Sequence, residues 1–168
     1  GESEEAQKLG IEIIQNLAKK VEEASNKYNL NFTLFCTPAE RLSGKFAKID
    51  KKKYGELKGI TDKQYYTNSN HVPVWYECNR EHKAKIEAPY HELTKGGHIF
   101  YIELERGKEN SPEDVEDVVD LMDKYNMGYG TVNFTRTKCE NCGFETQTIG
   151  LRYCPVCESE ELSFVQRI

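Results

Sequence analysis

Four cysteines constrain this chain more than any other feature: Cys139-Glu-Asn-Cys142 and Cys154-Pro-Val-Cys157, two C-x2-C pairs with eleven residues between them. Two residues between thiols let a turn aim both sulfurs at one ion, and two such turns complete a tetrahedral four-sulfur site. Gly143 suits the left-handed position after the first pair. Glu158 stands at the matching place after the second, where a glycine is expected, which adds strain without removing a ligand. Zinc is favoured because nothing nearby suggests redox tuning. Four thiolates alone also suit a rubredoxin-like iron, and two disulfides or four unrelated thiols would leave the same pattern in the sequence. Four ligands fill the site, so the predicted role is structural. Composition changes at Thr137, and residues 137–168 read as a metal-nucleated ribbon closed by a strand over Leu162–Val165.

The remaining residues, 1–136, read as one domain, within the capacity of a 168-residue chain. With 38% hydrophobic and 30% charged residues the sequence is polar but has core material, including ten Tyr and seven Phe. The longest apolar runs are four or five residues, which excludes a membrane-spanning helix. The start, GESEEAQKLG, has neither the basic nor the apolar region of a signal peptide, and Gly1 in place of Met reads as a processed or cloned piece rather than an untouched open reading frame. Six cysteines without a secretory signal point to a reducing, cytoplasmic setting. A net charge of −5 argues against nucleic-acid binding by phosphate neutralisation. Lys45, Lys48, Lys51, Lys52 and Lys53 read as a solvated helix face.

Helix and strand patterns alternate. Leu9, Ile13, Leu17, Val21, Ala24 and Tyr28 recur in steps of three or four, marking an amphipathic helix over 4–28. Leu30–Cys36 reads as a buried strand. Thr37-Pro38-Ala39-Glu40 carries an N-cap, a first-position proline and a third-position acid, so a capping box opens a helix there. Asp62–Thr67 reads as a short helical turn and Val72–Tyr76 as extended. Lys83 onwards is helical up to Pro89, and Gly96-Gly97 makes a turn. His98–Leu104 is a second strand. Ser111-Pro112-Glu113-Asp114 repeats the capping signature before a helix that buries Val115, Val118, Val119, Met122 and Tyr125 and stops near Asn126–Gly128. Tyr129–Phe134 is a third strand. Strand-helix-strand order implies an α/β fold with parallel pairing.

A helix start at the carboxyl end of a parallel strand offers unpaired N–H groups and the positive end of the macrodipole, the ordinary recipe for a phosphate site. The segment Thr37 to Ser43 fits that description, with Arg41, Ser43, Lys45 and Lys48 as supplements; a well-capped helix without ligand fits it too. Cys36 reads as a small hydrophobe within its strand, and Cys78 stands alone. His71, His82, His91 and His98 are spread over turns and strand ends and read as satisfied polar side chains.

Several phrases together resemble the anaerobic (class III, glycyl-radical) ribonucleoside-triphosphate reductases. They are Phe32-Thr-Leu-Phe-Cys-Thr-Pro-Ala-Glu40, Ser43-Gly-Lys-Phe-Ala-Lys-Ile-Asp50, Tyr65-Tyr-Thr-Asn-Ser69, His71-Val-Pro-Val74, Glu87-Ala-Pro-Tyr-His91 and Gly96-Gly-His98, followed by the double cysteine pair. They run from Asn31 to Val165 and match the C-terminal quarter of a longer enzyme. The resemblance implies part of the ten-stranded α/β barrel of ribonucleotide reductases and glycyl-radical enzymes, followed by a C-terminal zinc ribbon. It implies an oxidoreductase that supplies deoxyribonucleotides for DNA replication from ribonucleoside triphosphates. In that family a glycyl radical, installed by a radical-SAM, iron-sulfur activase, passes spin to a finger-loop cysteine. The thiyl takes the 3′ hydrogen of the ribose, and the 2′ hydroxyl leaves as water.

The resemblance also makes the phosphate loop the substrate site, with Thr37, Ala39, Glu40, Arg41, Leu42 and Ser43 around the triphosphate. It assigns no catalytic residue to this chain. The sequence ends at Gln166-Arg167-Ile168, before the family's R-x-x-G-Y radical segment, and the finger-loop cysteine lies before Gly1. Cys36 stands where the family often has Ala and is not taken as the thiyl cysteine. The expected partners are the triphosphate, the activase, the rest of the reductase chain and a second copy in a homodimer, with no membrane and no direct nucleic acid. A fragment inactive alone is the first reading. A non-catalytic zinc-ribbon binding module and one subunit of a split reductase are the rivals.

Overall fold

The computed structural model describes residues 3–73, 75–104 and 110–165. Helix α1 runs Glu4–Tyr28, α2 Glu40–Tyr54 and α3 Arg80–Leu93. Strand β1 (Phe100–Glu103), helix α4 (Pro112–Lys124) and strand β2 (Gly130–Asn133) follow, then β3 (Arg136–Cys139), β4 (Glu145–Thr146) and β5 (Leu162–Val165).

β1 and β2 pair in parallel, Phe100 opposite Gly130 and Glu103 opposite Asn133, with α4 between them in sequence. This is the expected strand-helix-strand unit. Phe100, Ile102, Leu104, Ala84, Val118 and Met127 form its buried core, with Leu121, Met122 and Phe134 packed around it. The Ser111 N–H donates to the Asp114 carboxylate at 2.8 Å, so the second capping box forms as the sequence implies. Asn126 takes φ +53 and ends the helix region, as expected near Asn126–Gly128. Only part of the expected buried face is covered, however. Val118 is buried, but Val119 is 57% exposed and Val115 is also open.

The Leu30–Cys36 segment differs from a buried strand. It makes one parallel bridge, Phe35 to Gly97, with Cys36 N–H to the Gly97 carbonyl at 2.9 Å and Gly96 N–H to the Leu34 carbonyl at 2.7 Å. Gly96 permits the approach, since a Cβ there would lie 2.8 Å from the Leu34 oxygen. Phe35 is 62% exposed because nothing covers the segment's outer side among the described residues. These elements form a short parallel run with no closed barrel among the described residues.

α1 forms over the expected range and rests on α3, with Gln7 Nε2 donating to the Ile86 carbonyl and Gly10 against Tyr90; Ile11, Ile14, Ala18 and Val21 are half-buried. Leu9, Ile13, Leu17 and Tyr28, on the apolar face that the periodicity marks, are exposed. The helix has two apolar stripes, and α3 covers one. α3 begins at Arg80, with Asn79 as a cap accepting from His82 N–H at 2.8 Å, and continues through Pro89 to Leu93. Burial of Ala84, Glu87 and Tyr90 along one face outweighs the hydrogen bond that proline cannot donate. The expected helical turn at Asp62–Thr67 lies earlier. Ile60 and Thr61 N–H close on the Leu57 carbonyl, and Thr61 Oγ1 accepts from Leu57 N–H. Around Pro73 the chain turns instead of extending, with Tyr76 N–H on the Pro73 carbonyl, while Val74 lies outside the described residues.

β3 is the centre of an antiparallel sheet, β4-β3-β5, separate from the parallel pair. Cys139 pairs with Leu162 and Arg136 with Val165, so the expected closing strand is present. No described helix is long and apolar enough to cross a membrane.

Candidate functional site

The four cysteines come together as their spacing requires. Cys139 sits at the end of β3, and two turns of the same construction carry the pairs. Gly143 N–H returns to the Cys139 carbonyl at 2.9 Å, and Cys139 N–H reaches the Phe144 carbonyl at 2.8 Å. Glu158 N–H returns to the Cys154 carbonyl at 2.9 Å, and Cys154 N–H reaches the Ser159 carbonyl at 2.8 Å. The left-handed position is Gly143 (φ +75) in the first turn and Glu158 (φ +58) in the second, as expected.

The four sulfurs lie within 4.8 Å of one another. Cys139 to Cys157 and Cys142 to Cys154 each measure 3.6 Å. A tetrahedron with metal–sulfur bonds of about 2.3 Å has edges of about 3.8 Å, so the set fits a zinc-sized ion. Disulfides at about 2.05 Å do not fit those two pairs. Val156 N–H approaches the Cys154 sulfur at 3.4 Å and Asn141 Nδ2 the Cys157 sulfur at 3.6 Å, contacts that favour thiolate. The Phe144 N–H draws Cys142 down, but burial and the neighbouring sulfurs push it up to about 12. The Ser159 N–H brings Cys157 down to about 7. Sulfurs this close ionise together only around a cation.

The first helix start differs from its expected form. α2 begins at Glu40, two residues beyond Pro38, and the residue before it, Ala39, has φ −112, ψ 47 and no side-chain cap. Thr37 is exposed and caps nothing among the described residues, so α2 does not open on a Thr37 cap, and the side chain of its expected acid, Glu40, lies outside the described residues. A distant group has taken over. Asn68 Oδ1 accepts from Ala39 N–H at 2.5 Å. Leu42 and Ser43 N–H turn back to the Ala39 carbonyl at 2.9 Å each. Arg41 and Leu42 are exposed, Ser43 is half-buried, and Lys45, Lys48 and Lys51–Lys53 form the expected solvated face. Cys36 is half-buried rather than core, and its sulfur accepts from Asn70 Nδ2 at 2.9 Å. Cys78 is half-buried, and burial pushes its thiol up.

Sequence reasoning missed a buried polar cluster. Glu87, fully buried, accepts from Val72 N–H at 2.8 Å, meets His71 Nδ1 at 3.2 Å and pairs with Lys83. Burial works to raise the carboxyl, but His71 and Lys83 outweigh it and hold the group below its ordinary range. His98, 3% exposed, stacks on His91 with ring centres 4.3 Å apart. Nε2 of each has no protein partner among the described residues. Burial, then His91 and His71, push His98 down to about 4. The available signal was Lys83-x3-Glu87-x3-His91, three ionisable groups on the helix face shared with Ala84 and Tyr90.

Beside this cluster a cavity of about 250 Å³ opens where β1 and β2 end, walled by Tyr65, Trp75, Tyr76 and Tyr101 and reached by Ser43 and Asn68. Tyr65 and Trp75 are tilted against each other with centres 5.9 Å apart. The carboxyl ends of parallel strands are the usual binding side of such sheets.

The family model described as anaerobic ribonucleoside-triphosphate reductase matches residues 1–168. The reductase of that name from Enterobacteria phage T4 is 38% identical over 135 residues, 80% of this chain and 22% of its own length. The Escherichia coli (strain K12) reductase is 34% identical over 168 residues, 98% of this chain and 23% of its own. The anaerobic ribonucleotide reductase of Thermotoga maritima, solved in complex with dATP and CTP, superposes with a TM-score of 0.76 at 20% identity, covering 99% of this chain and 26% of that one. The likeness to that structure shows the fold. The chain thus spans about a quarter of its relatives' length, and it belongs to the anaerobic ribonucleoside-triphosphate reductase family.

Proposed function

We propose that this chain is the substrate-phosphate and zinc-ribbon part of an enzyme that reduces ribonucleoside triphosphates to deoxyribonucleoside triphosphates. The observation that carries the reading is the family match over residues 1–168, joined to four sulfurs at tetrahedral spacing. Residues 1–136 contribute to the α/β barrel, and residues 137–168 form the ribbon. Cys139, Cys142, Cys154 and Cys157 hold one structural zinc, which orders the ribbon.

The start of α2 takes the triphosphate, with Thr37, Ala39, Glu40, Arg41, Leu42 and Ser43 around it. Backbone N–H groups and the helix dipole supply most of the attraction there, and Arg41 adds a positive charge. In the whole enzyme a glycyl radical, made by a SAM- and iron-sulfur-dependent activase, supplies the radical chemistry. This chain binds and orients the nucleotide and helps exclude water. The whole enzyme works in the cytoplasm as a homodimer.

Ala39→Asp in the full-length reductase tests the phosphate site. An acid is welcome in a helix's first turn, so folding survives, while the apparent KM for the triphosphate rises. An unchanged KM moves the phosphate site off this helix. The 168-residue chain alone, given activase and reductant, yields no deoxynucleotide; turnover by it would contradict the division of labour.

A further inference from the structure

We infer that Asn68 is a positioning residue of the nucleotide site, a neutral external cap that fixes the start of α2 while leaving its positive end available to an anion. The inference rests on the reading of that helix start as the triphosphate site. Ala39, the residue before α2, gives no side-chain cap, and its N–H goes to Asn68 Oδ1 at 2.5 Å.

The turn that carries Asn68 is held on both sides. Asn70 Nδ2 reaches the Cys36 sulfur at 2.9 Å, on the extended segment that leads into the helix. His71 N–H closes on the Asn68 carbonyl at 3.3 Å, and the His71 ring and Val72 N–H are anchored to the fully buried Glu87. Between the anchors Ser69 takes φ +51. A non-glycine residue holds that conformation where its surroundings over-determine it. Asn68 therefore links the helix start to the buried Glu87 cluster through a turn with little freedom to move.

The chemistry of the cap matters more than its presence. Asn and Asp cap helices about equally well, and Asp gains more from the dipole. For stability alone a carboxylate would serve here as well or better. A carboxylate at position 68, added to the acid that the sequence already carries at Glu40, would also weaken the positive end that draws a triphosphate. The carboxamide supplies the acceptor without the charge.

The test compares Asn68→Asp, Asn68→Ala and Ala39→Asp in the full-length reductase, numbered as in this chain. Asn68→Asp should melt within about 2 °C of the parent. It should raise the KM for a ribonucleoside triphosphate by about tenfold or more, with the loss on KM rather than kcat. That rise should shrink as salt is added, the mark of charge rather than shape. Asn68→Ala should raise KM less, without the salt dependence, and lower the melting temperature. If Ala39→Asp raises KM while Asn68→Asp stays within about twofold of the parent, the phosphate site stands and the role of Asn68 is overturned. If neither acid moves KM, the phosphate reading falls and this inference with it. If Asn68→Asp does not fold, an Asn68→Ala enzyme with parental KM and melting overturns the role by itself.

Discussion

The cysteine ribbon and the start of α2 were both marked by short motifs, yet one formed as written and the other did not. In the ribbon, each C-x2-C turn closes through hydrogen bonds within its own six residues, Cys139 to Phe144 and Cys154 to Ser159. Among the described residues no distant group competes for those bonds. At α2, Thr37-Pro38-Ala39-Glu40 carries an equally plain local signal, but Asn68, 29 residues on, takes the N–H of Ala39. A helix cap contributes about 1 kcal/mol, little enough for one tertiary contact to displace it. Short-range geometry closed by its own backbone bonds is robust; short-range geometry held by one weak bond yields to the fold.

The largest effect that bears on this contrast is loss of a ligand. Cys154→Ser should abolish stoichiometric zinc and unfold the ribbon, because the apparent binding energy of such sites is about 10–16 kcal/mol and the ribbon has little core without it. Metal analysis and circular dichroism would read both. A folded ribbon lacking metal would remove the ion from the explanation.

The buried cluster comes next. Glu87→Ala leaves Lys83, His71 and the Val72 N–H without their acceptor and should cost about 3–5 kcal/mol in a denaturant melt. A loss below about 1 kcal/mol would mean that Glu87 is not the hub of that region.

Acid should separate the two regions further. His98 is neutral in the fold with its pKa pushed from 6.5 to about 4, and burial also lowers His91. The unfolded chain binds more protons in between, so stability is full above about pH 6.5 and is lost progressively towards pH 4. A melting temperature flat over that window at constant zinc occupancy would contradict the burial of this pair.

Two small substitutions sharpen the comparison of turns. Thr37→Ala should change stability by less than about 0.5 kcal/mol, since Thr37 caps nothing; a loss near 1 kcal/mol would restore the local capping box. Glu158→Gly should stabilise the ribbon by about 0.5–1 kcal/mol by relieving the left-handed strain, with zinc retained.

Much of the fold could be read from the sequence where pattern and environment agree. The β1-α4-β2 unit is legible in the Ser111–Asp114 cap, the strand run His98–Leu104 and the stop near Asn126. α1 was also legible as a helix, but periodicity could not say which of its two apolar stripes finds a partner. Leu9, Ile13 and Leu17 are exposed because α3 covers the other stripe. α3 runs past the stop that Pro89 predicts, because a proline rule says nothing of a buried face strong enough to carry the helix onward. The Glu87 cluster stayed hidden because its members, His71, Lys83, Glu87, His91 and His98, meet only when a turn, a helix and a strand entry fold together.

We propose that the ribbon is an independent, ion-ordered unit beside a parallel pair that needs no ion. Hydrogen exchange measured before and after zinc is stripped by a chelator tests this at single-residue resolution. The amides of Cys139, Gly143, Cys154 and Glu158 should lose protection on stripping, while those of Phe100, Ile102 and Val132 keep theirs. Protection lost equally in both regions, or in neither, would contradict it.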